Sequence, residues 1–196
     1  MLKRILAATA AVVLAAPAMA GGLAPAPEPV VVVPVVPAPA ARDWTGFYAG
    51  VQAGQADFSN SVSSRYDSSG TYWGGHVGYL HDLGRFVLGG ELRYSDASGV
   101  TNGISSFDGD TLVSGRLIAG YDAGRIMPFV AVGGGQLTLE NGWKDTGILY
   151  GAGVEFAMTD HWRLGAEATH FEFKDFAGYG YDLTGNAVGI RVSYRF

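Results

Sequence analysis

The feature that most constrains the fold is an alternation of apolar with polar or small residues that recurs in eight stretches of the chain. It is clearest at the C-terminus, GIRVSYRF, where every second residue from Ile190 to Phe196 is apolar and the residues between them are polar. Neighbouring side chains in a strand point to opposite faces, so each stretch predicts a strand with one apolar face. The stretches are 44–57, 71–81, 85–97, 110–122, 126–139, 146–158, 162–173 and 184–196.

The connections between these stretches alternate in length. The short ones are His81–Arg85, Asp122–Arg125 and Thr159–His161. The others are mostly longer and rich in Ser, Gly, Asp and Asn: 58–70, 96–109, 140–145 and 174–183. An even number of strands of about ten residues, with short turns at one end and longer loops at the other, is typical of outer-membrane barrels. The sequence therefore predicts an all-β fold, an eight-stranded antiparallel transmembrane β-barrel over residues 43–196 with both termini in the periplasm.

The aromatic residues help to separate this prediction from a soluble barrel of the lipocalin type, which would carry apolar residues inside and charges outside. The polar face of the predicted strands has few charges, most of them isolated. The aromatic residues collect near strand ends, as the interfacial girdles of a membrane barrel require. Both observations favour the membrane barrel. The expected girdle residues are Trp44, Phe47, Tyr72, Trp73, Tyr79, Phe86, Tyr94, Tyr121, Phe129, Tyr194 and Phe196.

The first 20 residues have the organisation of a secretory signal peptide. Lys3 and Arg4 precede an apolar run, and the small residues at 18–20 form a cleavage site, so the mature chain is expected to begin near Gly21. Removal of the two basic residues leaves 11 basic against 18 acidic side chains, so no nucleic-acid partner is expected. Because cysteine is absent, disulfides and thiolate metal sites are excluded.

Residues 21–42 form a leader rich in Pro, Ala and Val. This composition predicts an extended polyproline II spacer that reaches roughly 60 Å at about 3 Å per residue. Pro34 and Pro37 interrupt the valine run, so the leader is not expected to cross a membrane as a helix. A periplasmic tether and a disordered leader are both compatible with this sequence.

Charged residues on the face opposite the apolar one are expected to line the barrel interior. Their charges sum to zero: Glu91, Glu155, Glu167, Arg93, Arg116 and Arg191. The turn positions predict that His76 and Arg116 lie beside Glu91. They also predict Arg191 beside Glu167. Eight strands leave an interior that side chains about fill, and an unpaired buried charge is costly. We therefore expect a structural salt-bridge network that plugs the interior, with a narrow ion path along the same charges as the alternative.

The histidines indicate no catalytic or metal site. A hydrolase needs a nucleophile and a base within reach of each other, and His76 has no serine at an obvious cross-strand position. His81 and His161 lie in short turns, and His170 is expected near the outer rim. Because the four histidines are scattered singly, we expect no metal, no other cofactor and no enzymatic activity.

The stretch DWTGFYAG, residues 43–50, resembles the first strand of small barrel proteins from alpha-class Gram-negative bacteria, the porin-family or OmpA-like surface antigens. Residues 73–95, 151–173 and the C-terminus agree with this resemblance, which covers 43–196. It implies a place in the outer membrane, with membrane lipid and lipopolysaccharide as partners. It also implies that Tyr194 and Phe196 belong to the signal read by the barrel assembly machinery.

The same resemblance implies a possible bond to the cell wall, because some relatives are joined to peptidoglycan through the mature N-terminal residue, here Gly21. The expected role is therefore structural support of the envelope, with the leader as a link to peptidoglycan. A narrow porin for small solutes or ions is one alternative. A surface adhesin or receptor that binds through the long loops is another.

Overall fold

The computed structural model describes residues 42–60, 67–101, 109–140, 142, 144–174 and 182–196. These residues form β1 Gly46–Asn60, β2 Ser68–Asp82, β3 Phe86–Thr101, β4 Gly109–Tyr121, β5 Ile126–Leu139, β6 Lys144–Ala157, β7 Trp162–Phe173 and β8 Leu183–Arg195. Each strand pairs antiparallel with the next, and β8 pairs with β1 to close the barrel. The predicted eight-stranded antiparallel barrel is confirmed. The signal peptide, Gly21 and the leader up to Ala41 lie outside the described residues.

Within the described ranges, no helix is long and apolar enough to cross a membrane.

Several strands extend further at the loop end than the alternation predicts. β1 continues to Asn60, β2 begins at Ser68 and β3 continues to Thr101. These ends were predicted at 57, 71 and 97, because the residues beyond them are polar or small. Backbone pairing between strands does not need apolar side chains, so the ladders continue through these residues.

The register of the barrel is staggered by ten residues. A row of paired residues that begins at Phe47 and follows each ladder around the barrel returns to β1 at Asp57, ten positions further along. The row is Phe47, Tyr79, Gly90, Leu117, Val132, Tyr150, His170, Asn186 and Asp57. For eight strands, this stagger corresponds to a strand tilt of roughly 40° and to an interior that side chains can fill.

Two of the short turns are built alike, from the sequence Asp-x-Gly-Arg. Gly84 and Gly124 have φ angles of 98° and 83°, a region that favours glycine. In each turn the glycine N–H donates to the carboxylate of the aspartate two residues earlier, Asp82 or Asp122, at 2.7 Å. These bonds stabilise the turns and hold both carboxylates at the end of the barrel where the short turns lie.

β5 is the strand whose orientation the sequence predicted wrongly. The alternation in 126–139 groups Phe129, Ala131, Leu137 and Leu139 on one apolar face, opposite Gln136 and Thr138, and so predicts that they face lipid. In the structure all four are buried in the interior. The outward positions are taken by residues such as Val130, which is 58% exposed. Both faces of this strand are largely apolar, so alternation alone cannot orient it. The pairing with β4 determines which face of β5 points inward, because Leu137 lies opposite Leu112, which is buried in the interior.

Three of the expected girdle aromatics also face inward. Trp44 and Phe129 are buried, and Tyr72 is half-buried beside the apolar residues of the interior. The other predicted girdle residues face outward. Those near the short turns form ring contacts, with centroid distances of 4.8 Å for Phe47–Tyr79 and 6.0 Å for Phe86–Tyr121. Their position at the edge of the apolar surface is that of an interfacial girdle.

Candidate functional site

The described residues fill the barrel interior in three layers. An apolar layer lies at the end of the short turns: Trp44, Tyr48, Leu80, Val87, Ile118, Met127, Phe129, Ala131 and Ala157. A second apolar layer lies at the loop end: Ala56, Phe58, Ala97, Val100, Leu112, Leu137, Leu139, Leu149, Phe171, Phe173 and Ala187. All six of the predicted interior charges lie between these two layers, where water is largely excluded.

Glu91 on β3 is one centre of the charged layer. Arg116 donates to it through Nε at 2.9 Å, and Arg93 through Nη2 at 3.3 Å. Arg191 and the Tyr48 hydroxyl also donate to it, the latter at 2.7 Å. Glu91 and Arg116 are directly opposite in the β3–β4 ladder. One carboxylate therefore receives donors from four side chains, which is the kind of pairing that a buried charge requires.

Glu167 on β7 is the second centre. Arg116 binds both of its carboxylate oxygens, with an Nη1–Oε1 distance of 2.5 Å and an Nη2–Oε2 distance of 2.7 Å. Arg93 Nη2 lies 3.1 Å away, and the Thr169 hydroxyl donates at 2.7 Å. Because β4 and β7 are not neighbours, the Arg116–Glu167 bond crosses the interior and links opposite walls of the barrel.

Arg191 on β8 joins the two centres to Glu155. Its Nε lies 2.9 Å from Glu155 Oε1, and its Nη1 lies 3.4 Å from Glu167. In the β7–β8 ladder Arg191 lies opposite Gly165, two residues from Glu167. The contact predicted between Arg191 and Glu167 is thus present but long, and Glu155 and Glu91 are closer partners.

His76 does not lie where the sequence predicted it. β2 continues to Asp82, which pairs with Val87, so the register places His76 opposite Arg93 instead of beside Glu91. Its Nε2 is 2.8 Å from the hydroxyl of Ser193 on β8. Sequence reasoning found no serine partner because Ser193 is not on a neighbouring strand. Both side chains are buried in the interior, away from lipid and solvent.

Several of these polar contacts cross a glycine on the strand between the two partners. Tyr48 meets Glu91 across Gly78, His76 meets Ser193 across Gly50, Gln52 meets Ser95 across Gly74, and Arg191 meets Glu155 across Gly165. A Cβ added to Gly78 would lie 2.5 Å from the Tyr48 hydroxyl, and one added to Gly50 would lie 2.6 Å from His76 Nε2. The glycines therefore give these side chains the space to meet two strands apart.

Arg163 on β7 is an interior charge that sequence reasoning missed, although it shares its strand face with Glu167. Its guanidinium lies 4.5 Å from the Tyr48 ring centroid and 5.8 Å from that of Trp44. Within the described part of the chain, Nε and Nη2 have no hydrogen-bond partner, and no carboxylate forms an ion pair with Arg163. Arg163 is thus a buried base in addition to the six charges that the sequence predicted for the interior.

A cavity of about 30 Å³ lies in the half of the described interior that is nearer the loops, lined by residues that include Tyr72, Arg93 and Phe171. This volume accommodates one or two water molecules. Arg116 of the charged layer also lines the cavity, so the charged layer lies between the cavity and the short turns.

The chain enters the barrel through residues 42–45, which we call the mouth segment. The Trp44 N–H donates to Asp82 at 3.0 Å, and its indole Nε1 donates to Asp122 at 3.2 Å. Arg42 binds the carbonyl of Thr159 and, at 2.8 Å, the carboxylate of Asp160. This segment therefore contacts all three short turns.

The mouth segment is also fixed by bonds within itself and to the last strand. Hydrogen bonds from the hydroxyl and the backbone N–H of Thr45 lower the pKa of Asp43. The Thr45 hydroxyl in turn accepts a bond from the Asp82 N–H at 3.0 Å. Arg195, at the end of β8, binds the carbonyls of Asp43 and Thr45. The segment thus bridges the seam at which β1 and β8 close the barrel.

Comparison with known proteins agrees with this geometry. The family model described as outer membrane protein beta-barrel domain matches residues 6–196. Neisserial surface protein A has a similar structure at 16% identity, with 78% of this chain and 98% of that chain covered and a TM-score of 0.55. At this identity the similarity shows a shared fold.

Two further solved structures have lower TM-scores. The attachment invasion locus protein Ail of Yersinia pestis has 15% identity, covers 78% of this chain and 99% of its own, and has a TM-score of 0.46. The N-terminal barrel domain of Pseudomonas aeruginosa OprF has 18% identity, covers 75% and 97%, and has a TM-score of 0.46. No curated protein sequence matches this chain significantly.

In the described residues, no group of three or more acidic, histidine or cysteine side chains could hold a metal ion.

Proposed function

The chain belongs to the outer membrane protein beta-barrel domain family, and we propose that it is a non-conducting structural element of the cell envelope. Its barrel lies in the outer membrane. In the proposed role, the barrel is a rigid anchor in that membrane, and the leader extends from it into the periplasm. Peptidoglycan is the proposed partner of the leader.

The observation that carries the non-conducting role is the plugged interior. Arg191, Arg116 and the two glutamates that they share form a cross-barrel network between two apolar layers. Opening a path for ions would separate these buried pairs and leave their charges without partners in a layer shielded from water, which is strongly unfavourable. The narrow-porin alternative lacks this support.

Planar-bilayer recording of the purified mature protein tests this role. We expect silence at ordinary voltages, with insertion checked independently by the resistance of the folded barrel to proteases. Glu91→Gln and Arg116→Gln serve as diagnostic variants, since both residues lie in the plug. Reproducible conductance steps in the wild type whose size changes in these variants would establish the porin and overturn the proposal.

The proposed link to the wall is tested separately on cells. They are boiled in SDS, the peptidoglycan is sedimented and digested with lysozyme, and the fragments are searched by mass spectrometry for a muropeptide on Gly21. Detection of this fragment supports a covalent tether. Complete release of the protein by boiling rejects the covalent form and leaves the bilayer result unaffected.

Two finer proposals concern assembly and relationship. We propose that Tyr194 and Phe196 are read by the barrel assembly machinery, and their rings lie 5.4 Å apart at the end of the last strand. Phe196→Ala should then lower the amount of folded protein in the membrane more than Phe86→Ala does.

We also propose that the chain is related to the porin-family or OmpA-like surface antigens of alpha-class Gram-negative bacteria, with lipopolysaccharide as a membrane partner.

The adhesin or receptor alternative stays a prediction. It depends on the loops, and large parts of these lie outside the described residues. Deleting loop residues while the barrel stays folded, followed by a search for lost binding, is the experiment that would favour it.

A further inference from the structure

We propose that the mouth segment, residues 42–45, is a latch that transmits force from the leader to the whole barrel. This inference rests on the proposed envelope role for the origin of the force, since a tether experiences tension when the outer membrane and the cell wall move apart. The latch itself is a property of the purified protein. Its test is therefore independent of any bond to peptidoglycan.

The contacts of the mouth segment are distributed over all three short turns. Trp44 binds the β2–β3 turn through its N–H and the β4–β5 turn through its indole. Arg42 binds the β6–β7 turn through Thr159 and Asp160. A single short segment thus reaches every periplasmic turn, whereas the adjacent strand β1 pairs directly with β2 and β8 alone.

The contacts of the mouth segment also determine which bonds a pull on the leader loads. Without these contacts, a pull on the leader would enter β1 at Gly46 and would act directly only on the pairs that β1 makes with β2 and β8. With the latch closed, the same pull acts on the bonds of Arg42 and Trp44 together, and these bonds share the load among six other strands through the turns.

The latch is also bonded to the last strand. Arg195 on β8 binds the carbonyls of Asp43 and Thr45, so the segment also clasps the β1–β8 seam. The Trp44 side chain is 2% exposed and packs in the periplasmic apolar layer. Pulling it out requires both the loss of two hydrogen bonds and the exposure of a large apolar surface.

Single-molecule force spectroscopy tests the proposal directly. The mature protein, reconstituted in a lipid bilayer, is pulled by a handle at the start of the leader, and the force and the extension of each rupture are recorded. For the wild type we expect an initial high-force rupture at the extension of the leader alone, before any strand is released. In Trp44→Ala this first rupture should occur at markedly lower force, because the buried ring and its bond to Asp122 are lost while the bonds of Arg42 and Arg195 remain.

Trp44→Phe provides a second variant in case the alanine variant does not fold. Phenylalanine keeps the buried ring but lacks the indole donor to Asp122, so the first rupture should occur at reduced force. Trp162→Ala is the matched control, because it removes the same side chain from the same end of the barrel but from the lipid-facing surface. It should keep the first rupture.

Unchanged first ruptures in both Trp44 variants would overturn the latch, as would a wild-type trace that begins directly with the release of β1. Neither result bears on conductance or on a muropeptide at Gly21. Conversely, a force-resistant latch in a protein that cells do not attach to the wall would leave the latch established and reject the tether.

Discussion

Arg116 on β4 binds both carboxylate oxygens of Glu167 on β7, at 2.5 and 2.7 Å, so the two side chains connect strands that have no backbone contact. Arginine and carboxylate are matched for such two-bond contacts, and the site is shielded from water by an apolar layer on either side. This salt bridge therefore connects two walls of the barrel across the charged layer.

Glu167→Gln should destabilise the barrel by about 3–5 kcal/mol, because Arg93, Arg116 and Arg191 would then share two carboxylates in a buried layer. Denaturant unfolding in lipid vesicles measures the loss. Glu172→Gln is the matched control on the same strand, since Glu172 faces outward and accepts a bond from the Tyr150 hydroxyl near the rim. It should change stability by less than about 1 kcal/mol. Equal effects of the two substitutions would contradict the network.

Arg163→Met and Arg191→Met should differ strongly in their effect on the stability of the barrel, although both replace arginine with methionine. Arg191 contacts three glutamates, so its loss leaves them short of a counter-charge and should cost about 3–5 kcal/mol. Arg163 forms no ion pair with a carboxylate among the described residues and lies against aromatic rings, a contact of about 2 kcal/mol when desolvated. Replacing Arg163 with methionine removes the cation–π contact, but it also removes the cost of burying the charge of Arg163, so the two effects on stability oppose each other. Unfolding midpoints should therefore fall for Arg191→Met and stay close to wild type for Arg163→Met.

Gly78→Ala should lower stability by about 1–3 kcal/mol, because the new Cβ would displace the rigid ring of Tyr48 from its bond to Glu91. Gly134→Ala is the matched control. At this outward position the nearest atom to the new Cβ, Gly147 O, lies at 3.5 Å, an ordinary contact distance. Its stability should stay level or rise by up to about 1 kcal/mol. A similar loss in both variants would show that the glycines act through strand propensity and not through space in the interior.

Trp44 should be shielded from both water and lipid, and fluorescence quenching measures this. In a variant that carries Phe at positions 73, 143 and 162, the emission of Trp44 should resist aqueous acrylamide and also brominated lipid chains, because the side chain is 2% exposed. A variant that keeps Trp162 alone should be quenched by brominated lipid, since that ring is 47% exposed on the outer surface. Strong acrylamide quenching of Trp44 would place it outside the mouth.

The charged layer shows how far sequence reasoning reached. The face of each interior charge follows from parity within one strand, so Glu91, Arg116 and Arg191 could be placed inside without a structure. Arg163 was accessible by the same rule, because it lies four residues before Glu167. The partner of His76 was not accessible, because a contact with Ser193 depends on two ladders and on the absence of a side chain at Gly50.

By itself, the sequence determined the number of strands, the ends at which turns and loops lie, and the face of every strand with one clearly apolar side. These properties depend on residues that are neighbours in the chain, and alternation and turn chemistry record them directly. The tertiary structure decided the orientation of β5, through its pairing with β4, the inward position of Trp44, and the choice of ionic partners. The ionic partners depend on the ten-residue stagger of the closed barrel, because the stagger is the sum of all eight pairings and no single strand determines it.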